Sequence, residues 1–297
     1  MKKKTFTRRD FLKVAAVTPV MGAVAGSLKI PAAEKPLQKS KVVLIRDENA
    51  LLSFKKPDAE VVQRMLDEAV TILVGEKDVT KAWKTLISPD DIVGIKTNIM
   101  RYLPTTSEVE NAIKKRILDV GVAENNIGID DRGVRNNPIF KKATALINAR
   151  PARTHHWSGI GSCIKNYIMF VPKAFEYHGD SCADLATIWK DLNLKDKTKL
   201  NILVMLNPQF HTVGPHSYAD KYIWEYKGLI VSKDPVAADS TGLRIIEAKR
   251  KEYFGEDVPM KTPAKHIRLA ETRHGLGVAD PAKIELIKLG WEDGILI

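Results

Sequence analysis

Between His155 and Asn166 the chain reads His-His-Trp-Ser-Gly-Ile-Gly-Ser-Cys-Ile-Lys-Asn, gathering two imidazoles, a thiol, an amine and two glycines into 12 residues. Imidazoles titrate near neutral pH, so His155 and His156 suit proton transfer. Gly159 and Gly161 let the backbone approach a ligand closely or turn successive amides toward an anion. Lys165 can neutralise a phosphate or carboxylate, or act as a nucleophile when desolvated, and Asn166 adds a donor and an acceptor. The bland alternative is a Gly-containing surface loop around a buried Trp157. A binding or active site is the reading carried forward.

Other polar groups follow predicted strands, where ligands of open parallel sheets bind. Lys96 and Asn98 follow Ile92-Val-Gly-Ile95, and Asp130, Asp131 and Arg132 follow Ile127-Gly-Ile129. Two adjacent carboxylates can hold a hard metal, or raise one another's pKa for acid–base work, unless Arg132 neutralises them. Asn207, Gln209 and His211 follow Leu200–Leu206; His211 and His216 flank Gly214-Pro215 on a loop and are candidate metal ligands. Cys163 is a third candidate ligand, whereas Asp234 before Pro235 is best explained as a helix cap.

The elements that must position these groups alternate along the chain. Strands are predicted at 41–46, 92–96, 127–130, 200–206 and 283–288, and a strand or hairpin at 222–232. Helices are predicted at 58–74, from a Ser107 cap through Val120, at 137–147, 184–192, from Asp234 to about Tyr253, and at 264–273, with an irregular stretch from Pro151 through Lys173. Strand–helix alternation predicts an α/β fold, a mostly parallel sheet with helices on both faces. Residues 34–297 read as a single α/β domain.

The composition, 44% hydrophobic and 28% charged, is that of a globular chain. Its net charge of +11 is concentrated in residues 1–33, which hold seven bases and one acid, leaving 40 bases against 35 acids on the rest. With no later basic run and no nucleic-acid motif, nucleic acid is not an expected partner. The early segment Thr7-Arg8-Arg9-Asp10-Phe11-Leu12-Lys13 instead resembles the twin-arginine export motif, and Arg8 and Arg9 are its signal residues. The apolar stretch Val14–Val24, broken by Pro19, is shorter than the ~20 residues a membrane-spanning helix needs. Residues 1–33 therefore read as a twin-arginine signal peptide. That implies the twin-arginine machinery as a partner, folded export, and a periplasmic or other extracytoplasmic location.

In an oxidising compartment Cys163 and Cys182, if paired, would close a loop of about 20 residues contributing roughly 3 kcal/mol. Inert core thiols and a metal-ligating Cys163 are the other readings, and the sequence leaves all three open. Two cysteines are too few for a four-thiolate iron–sulfur cluster.

Four segments resemble the family of domain of unknown function 362: Val93-Gly-Ile-Lys96-Thr-Asn98, Gly159 to Asn166, Val231-Ser-Lys-Asp234-Pro235-Val-Ala-Ala-Asp239-Ser, and Gly275-Leu-Gly277. Many members of that family carry a ferredoxin-like segment and are described as iron–sulfur centre proteins, but this chain lacks the cluster cysteines. A second, local resemblance is to the lactate racemase family, where a His and a Lys ten residues later flank a glycine-rich stretch, as His155 and Lys165 do here. It implies an organometallic cofactor, with Lys165 tethering a nickel pincer nucleotide, His178 ligating nickel, and His155 or His156 as proton-transfer base.

The expectation is an exported envelope protein holding a metal or cofactor and an anionic small molecule at the strand carboxyl ends. The alternatives are a non-catalytic solute-binding or accessory protein, acting with a redox or envelope partner, and a racemase- or epimerase-like enzyme. Replacing both Arg8 and Arg9 by lysine is expected to hold the precursor in the cytoplasm, as followed by fractionation; normal secretion of that variant would refute the export signal.

Overall fold

In the computed structural model, which describes residues 39–212 and 218–297, the apolar run Val42–Ile45 lies at the centre of strand β1 (Ser40–Arg46). A small hairpin of β2 (Leu51–Ser53) and β3 (Lys56–Pro57) leads to helix α1 (Ala59–Val74). Asp58 caps α1 by accepting from the amides of Glu60 and Val61, and Gly75, at φ 77°, ends it. These are the start and stop signals expected from side-chain capping and left-handed glycine. Helix α2 (Val79–Lys84), strand β4 (Val93–Lys96), helix α3 (Ser107–Val120), strand β5 (Ile127–Asp130), helix α4 (Pro138–Lys142) and strand β6 (Ala145–His155) follow.

The middle of the chain is strand β7 (Gly159–Gly161), then the short helices α5 (Cys163–Asn166), α7 (Leu185–Asp191) and α8 (Leu194–Lys197), with the turn α6 (Gly179–Cys182), whose Asp180 and Ser181 are left-handed, between α5 and α7. Strand β8 (Thr198–Gln209), strand β9 (Gly228–Ser232), helix α9 (Pro235–Phe254), helix α10 (Lys265–Thr272) and strand β10 (Ile284–Gly290) complete it. The central sheet runs β10-β1-β9-β8-β6-β4-β5, with β7 hairpinned onto the end of β6. Every neighbouring pair along that path is parallel except those made by β9, which is antiparallel to β1 and β8.

Alternate residues of each strand feed two cores. Val43, Ile45, Val93, Ile95, Ile147 and Ile202 pack under α1, α2 and α3. Val42, Leu44, Leu146, Leu203 and Ile230 pack under α7, α9 and α10 on the opposite face. The α/β class, the mostly parallel sheet and the helices on both faces are those expected.

Three local expectations are corrected. The helix predicted over 137–147 stops at Lys142, because Ala145, Leu146 and Ile147 pair in parallel with Val93, Gly94 and Ile95. The stretch after Pro151 is not irregular from its start: β6 runs through the proline, which sits at a break in register with β8, where a missing N–H is tolerated. Ser107 is the first residue of α3, and the capping position is Thr106, without a side-chain cap bond.

Asp234 has the capping role read from the sequence, and more. One carboxylate oxygen accepts from the amides of Val236 and Ala237, and the other from Ser40 Oγ at 2.8 Å and the Val278 amide at 2.9 Å. Gly277 is required beside it, since a Cβ there would lie 2.0 Å from that carboxylate. Asp234 thus ties α9 to β1 and to the chain before β10. Asp234→Ala is expected to lower the unfolding free energy by about 2 kcal/mol, the upper end for a lost cap, and an unchanged urea midpoint would overturn this role.

Candidate functional site

Strand β6 has 11 residues and β4 only four, so with Lys96 paired to Asn148 the last seven residues of β6 pass beyond the end of β4. That overhang is the wall of a crevice at the carboxyl ends. Lys96, the last residue of β4, is 0% exposed. The Lys96 ammonium donates to Asp131 Oδ1 at 2.5 Å, the Thr97 carbonyl at 2.7 Å and Asn166 Oδ1 at 3.3 Å. Three donors and three acceptors leave no buried N–H over, which is the condition for keeping a charge inside.

From Asn166 the network crosses the sheet. Asn166 Nδ2 donates to the Lys96 carbonyl and to Asn148 Oδ1; Asn148 Nδ2 donates to the Cys163 carbonyl and to Asn201 Oδ1; Asn201 Nδ2 donates to the carbonyls of Ser232 and Lys233. Asp239 on α9 fixes α5 above this row, accepting from Ser162 Oγ and from the amides of Cys163 and Ile164. Burial pushes the Asp239 carboxyl up to about 6 despite these bonds. Burial also brings Lys96 down to about 8, with Asp131 resisting; Asp131 in turn is pushed up by burial but held below its usual range by the Lys96 charge.

The glycines of the central run are filled from within the protein. A Cβ on Gly159 would lie 2.6 Å from the Thr262 carbonyl oxygen, and one on Gly161 2.6 Å from the Arg150 guanidinium. What they admit is the chain before α10 and a buried arginine, which corrects their reading as open approaches for a ligand. Lys165, 3% exposed, has Cys182 Sγ at 3.7 Å as its side-chain partner. Burial brings it down to about 8. Arg150, 4% exposed, has no hydrogen-bond partner for Nε among the described residues. Arg153 is held by Asn98 Oδ1 at 2.6 Å and the Leu103 carbonyl. Lys96, Arg150, Arg153 and Lys165 are thus buried alongside two buried carboxylates, Asp131 and Asp239.

This cation surplus controls the imidazoles. Burial, then Lys165 and Arg150, hold His155 far below its usual range, where its Nδ1 accepts from the Trp157 amide. Burial and Lys165 bring His178 down to about 4. The rings of His155 and His156 stack, and Trp157 stacks on His178 with centroids 3.9 Å apart. On its outer side His155 lines a cavity of about 240 Å³ at the ends of β6 and β8, together with His211, Arg250 and Lys261. No acid lines that cavity among the described residues.

Residues 93–244, half of the chain, match the family model described as Domain of unknown function (DUF362). The chain belongs to the DUF362 family. No curated protein and no solved structure matches it. The DUF362 segment contains every member of the buried network, from Lys96 to Asp239, and Arg150, Arg153 and Lys165 as well, while the buried Arg46 and Arg250 lie outside it.

Lys96, Asp131 and Asn166 are therefore hydrogen-bonded together, and Lys165 and His155 are buried with other partners, Cys182 and the Trp157 amide. Asp130 turns away from Asp131 to accept from the Gly133 amide and Asn137 Nδ2, so the two carboxylates do not pair, and Lys96 rather than Arg132 neutralises Asp131. The expected metal donors do not converge. His178 lies against Trp157, His211 Nδ1 is 2.8 Å from Arg250, and the Cys163 thiol is buried in the core with its pKa pushed well up by burial and by Asp239. Among the described residues no group of three or more His, Cys, Asp or Glu side chains is placed to hold a metal ion. Cys163 and Cys182 are free thiols. Arg8, Arg9 and His216 lie outside the described residues.

Asn148, Arg150, Arg153, Asn201 and His266 were not singled out from the sequence. For Asn148 and Arg150 a signal was present: polar residues two apart inside an apolar strand mark one face of that strand as a polar site.

Lys96→Met would leave the Asp131 carboxylate buried without its cation. It is expected to cost about 3–5 kcal/mol, with the Lys96→Met/Asp131→Leu double variant recovering most of the loss. Denaturant titration of the cycle measures this, and additive losses would overturn the pairing as the stabilising unit.

Proposed function

We propose that this DUF362 protein is exported to the envelope and holds a small anionic molecule at the carboxyl ends of β4, β6 and β8. The observation that carries this reading is the buried cation surplus: four cations alongside two carboxylates, both already engaged by Lys96 or by α5. Unpaired buried charge is expensive, and a site that retains it in place of apolar side chains is arranged for a charge of the opposite sign. The cavity supports the same reading, since Arg250 and Lys261 line it and His155 connects it to the cations behind. The Arg8-Arg9 segment supports export.

Holding an anion requires little of the imidazoles except that they stay uncharged until it arrives, which the surrounding cations ensure. A bound anion stabilises the native state in proportion to RT ln(1 + [L]/Kd). Sulfate, which does not titrate near neutral pH, is therefore expected to raise the melting temperature. Lys165→Met removes a buried charge, so its stability without sulfate should hold or rise while the sulfate effect disappears. In the wild type the effect should fall as pH rises through about 8, where Lys165 loses its proton. A sulfate response that is absent in the wild type, or unchanged in Lys165→Met, would overturn the reading.

A further inference from the structure

The cavity of about 240 Å³ at the ends of β6 and β8 is lined by two imidazoles, His155 as the last residue of β6 and His211 just beyond β8. A neutral ring has one nitrogen that donates and one that accepts, and the partner of either settles the other. His155 Nδ1 lies 3.2 Å from the Trp157 amide, which can only donate. His211 Nδ1 lies 2.8 Å from Arg250 Nη1, and a guanidinium has no lone pair to offer. Both Nδ1 atoms are therefore acceptors, and both rings carry their hydrogen on Nε2.

The contacts that impose this tautomer are themselves anchored. Arg250 is 4% exposed, and its terminal nitrogens also donate to the carbonyls of Phe210, Val258 and Pro259. Thr154 Oγ1 donates to the His211 carbonyl at 3.0 Å, tying the end of β6 to the chain after β8. Tyr222 and Phe254 meet the His211 ring edge-to-face, and the His155 ring is stacked on His156. A second proton could enter either ring only at Nδ1, against an N–H that already points there. Burial acts in the same direction, with Lys165 and Arg150 at His155 and with Arg250 and Lys221 at His211, and holds both rings below their usual range.

We infer that His155 and His211 bind the anionic oxygens of the ligand as neutral Nε2–H donors, and that neither serves as a base. This rests on the anion-binding reading above and names the donors within it. With Nδ1 committed to the protein, neither ring has a lone pair left at Nε2 for a proton or a metal ion; what each has for an occupant of the cavity is a hydrogen. The complementary group is an acceptor. Lys261 lines the same cavity and no acid does among the described residues, so the acceptor favoured is an oxygen bearing negative charge, as in a carboxylate or sulfate. The Arg250 charge at His211 Nδ1 polarises the N–H on the far side of that ring and strengthens its bond to the anion. At about 240 Å³ the cavity falls short of the ~300 Å³ at which pockets for drug-sized molecules begin, so its occupant is small.

The test is long-range proton–nitrogen correlation NMR on the full chain labelled with 15N-histidine, at about pH 7 and titrated with sodium sulfate. The two rings are assigned by the signals lost in His155→Gln and in His211→Gln. Both should be neutral with the hydrogen on Nε2, both should shift at Nε2–H as sulfate saturates the protein, and both should stay neutral at saturation. By calorimetry, His155→Phe and His211→Phe should each bind sulfate roughly ten- to hundredfold more weakly, the loss expected for one hydrogen bond to a charged group. The wild-type spectrum decides the tautomers even if a variant fails to fold. An Nδ1–H tautomer or an imidazolium at either residue, bound sulfate that leaves either Nε2–H unmoved, or unchanged affinity in either folded phenylalanine variant would overturn the role of the histidines while leaving the anion site standing. No sulfate binding by the folded wild type would overturn both.

Discussion

An ammonium buried completely at the end of a strand dictates the architecture around it. Lys96 cannot remain charged unless three acceptors meet its three N–H groups, and those acceptors come from β5's following loop, its own backbone and α5. Asn166 then has a donor left over, which requires Asn148, and Asn148 requires Asn201. One buried charge thereby fixes the register of β6 against β4, the seat of α5 and the junction with β9. A network of this kind stabilises little relative to apolar packing, but it disfavours alternatives in which any member lacks a partner.

The same network explains why the cations behind it are tolerated. Asp131 and Asp239 are both fully engaged, so their charges act on Arg150 only through space. The result is an interior that is ordered and yet electrostatically incomplete. Stability alone would favour replacing Lys165 or Arg150 by an apolar residue of similar volume, and conflicts of this sort with local rules concentrate at functional sites. The strained backbone nearby fits that pattern: Asp180, Ser181 and Cys182 are all left-handed, with φ of 43°, 59° and 63°, beside the Lys165 amine.

How much of this was legible in the sequence depends on the range of the interaction involved. Asp234 was readable because a cap is local: the carboxylate, Pro235 and the apolar helix behind them are adjacent in the chain. Strands β1, β4, β5 and β8 were readable from short apolar runs, α1 from its apolar periodicity and α9 from its cap. The end of α4 and the start of β6 were not, since 137–147 is apolar enough for a helix and only pairing with β4 extends it. Within the site, Lys96, Lys165 and His155 were readable from position after a strand or from an unusual local run. Arg150 had only its two-residue spacing from Asn148 to mark it, and His266 had no local signal, because an unmet ring nitrogen is a property of the packed interior. The Asp130-Asp131 pair misled for the opposite reason: sequence adjacency implied a shared site, while the turn at Gly133 sends the two carboxylates to different partners.

The long range of these contacts bears on when the site can exist. Lys96 meets Asp131 and Asn166 across 35 and 70 residues, and Asp239 caps α5 across 76. These groups stand on separate elements, Lys96 on β4, Asp131 after β5, Arg150 and Arg153 on β6 and Asp239 on α9, so the site forms only when all of them have docked. Before that point four cations and two acids are solvated, and the chain has no affinity for an anion beyond its overall charge. An anion that binds the native state alone would draw folding to completion. Export of folded chains, proposed from Arg8 and Arg9, would then carry the site across already assembled, with its ligand in place if the anion is met in the cytoplasm.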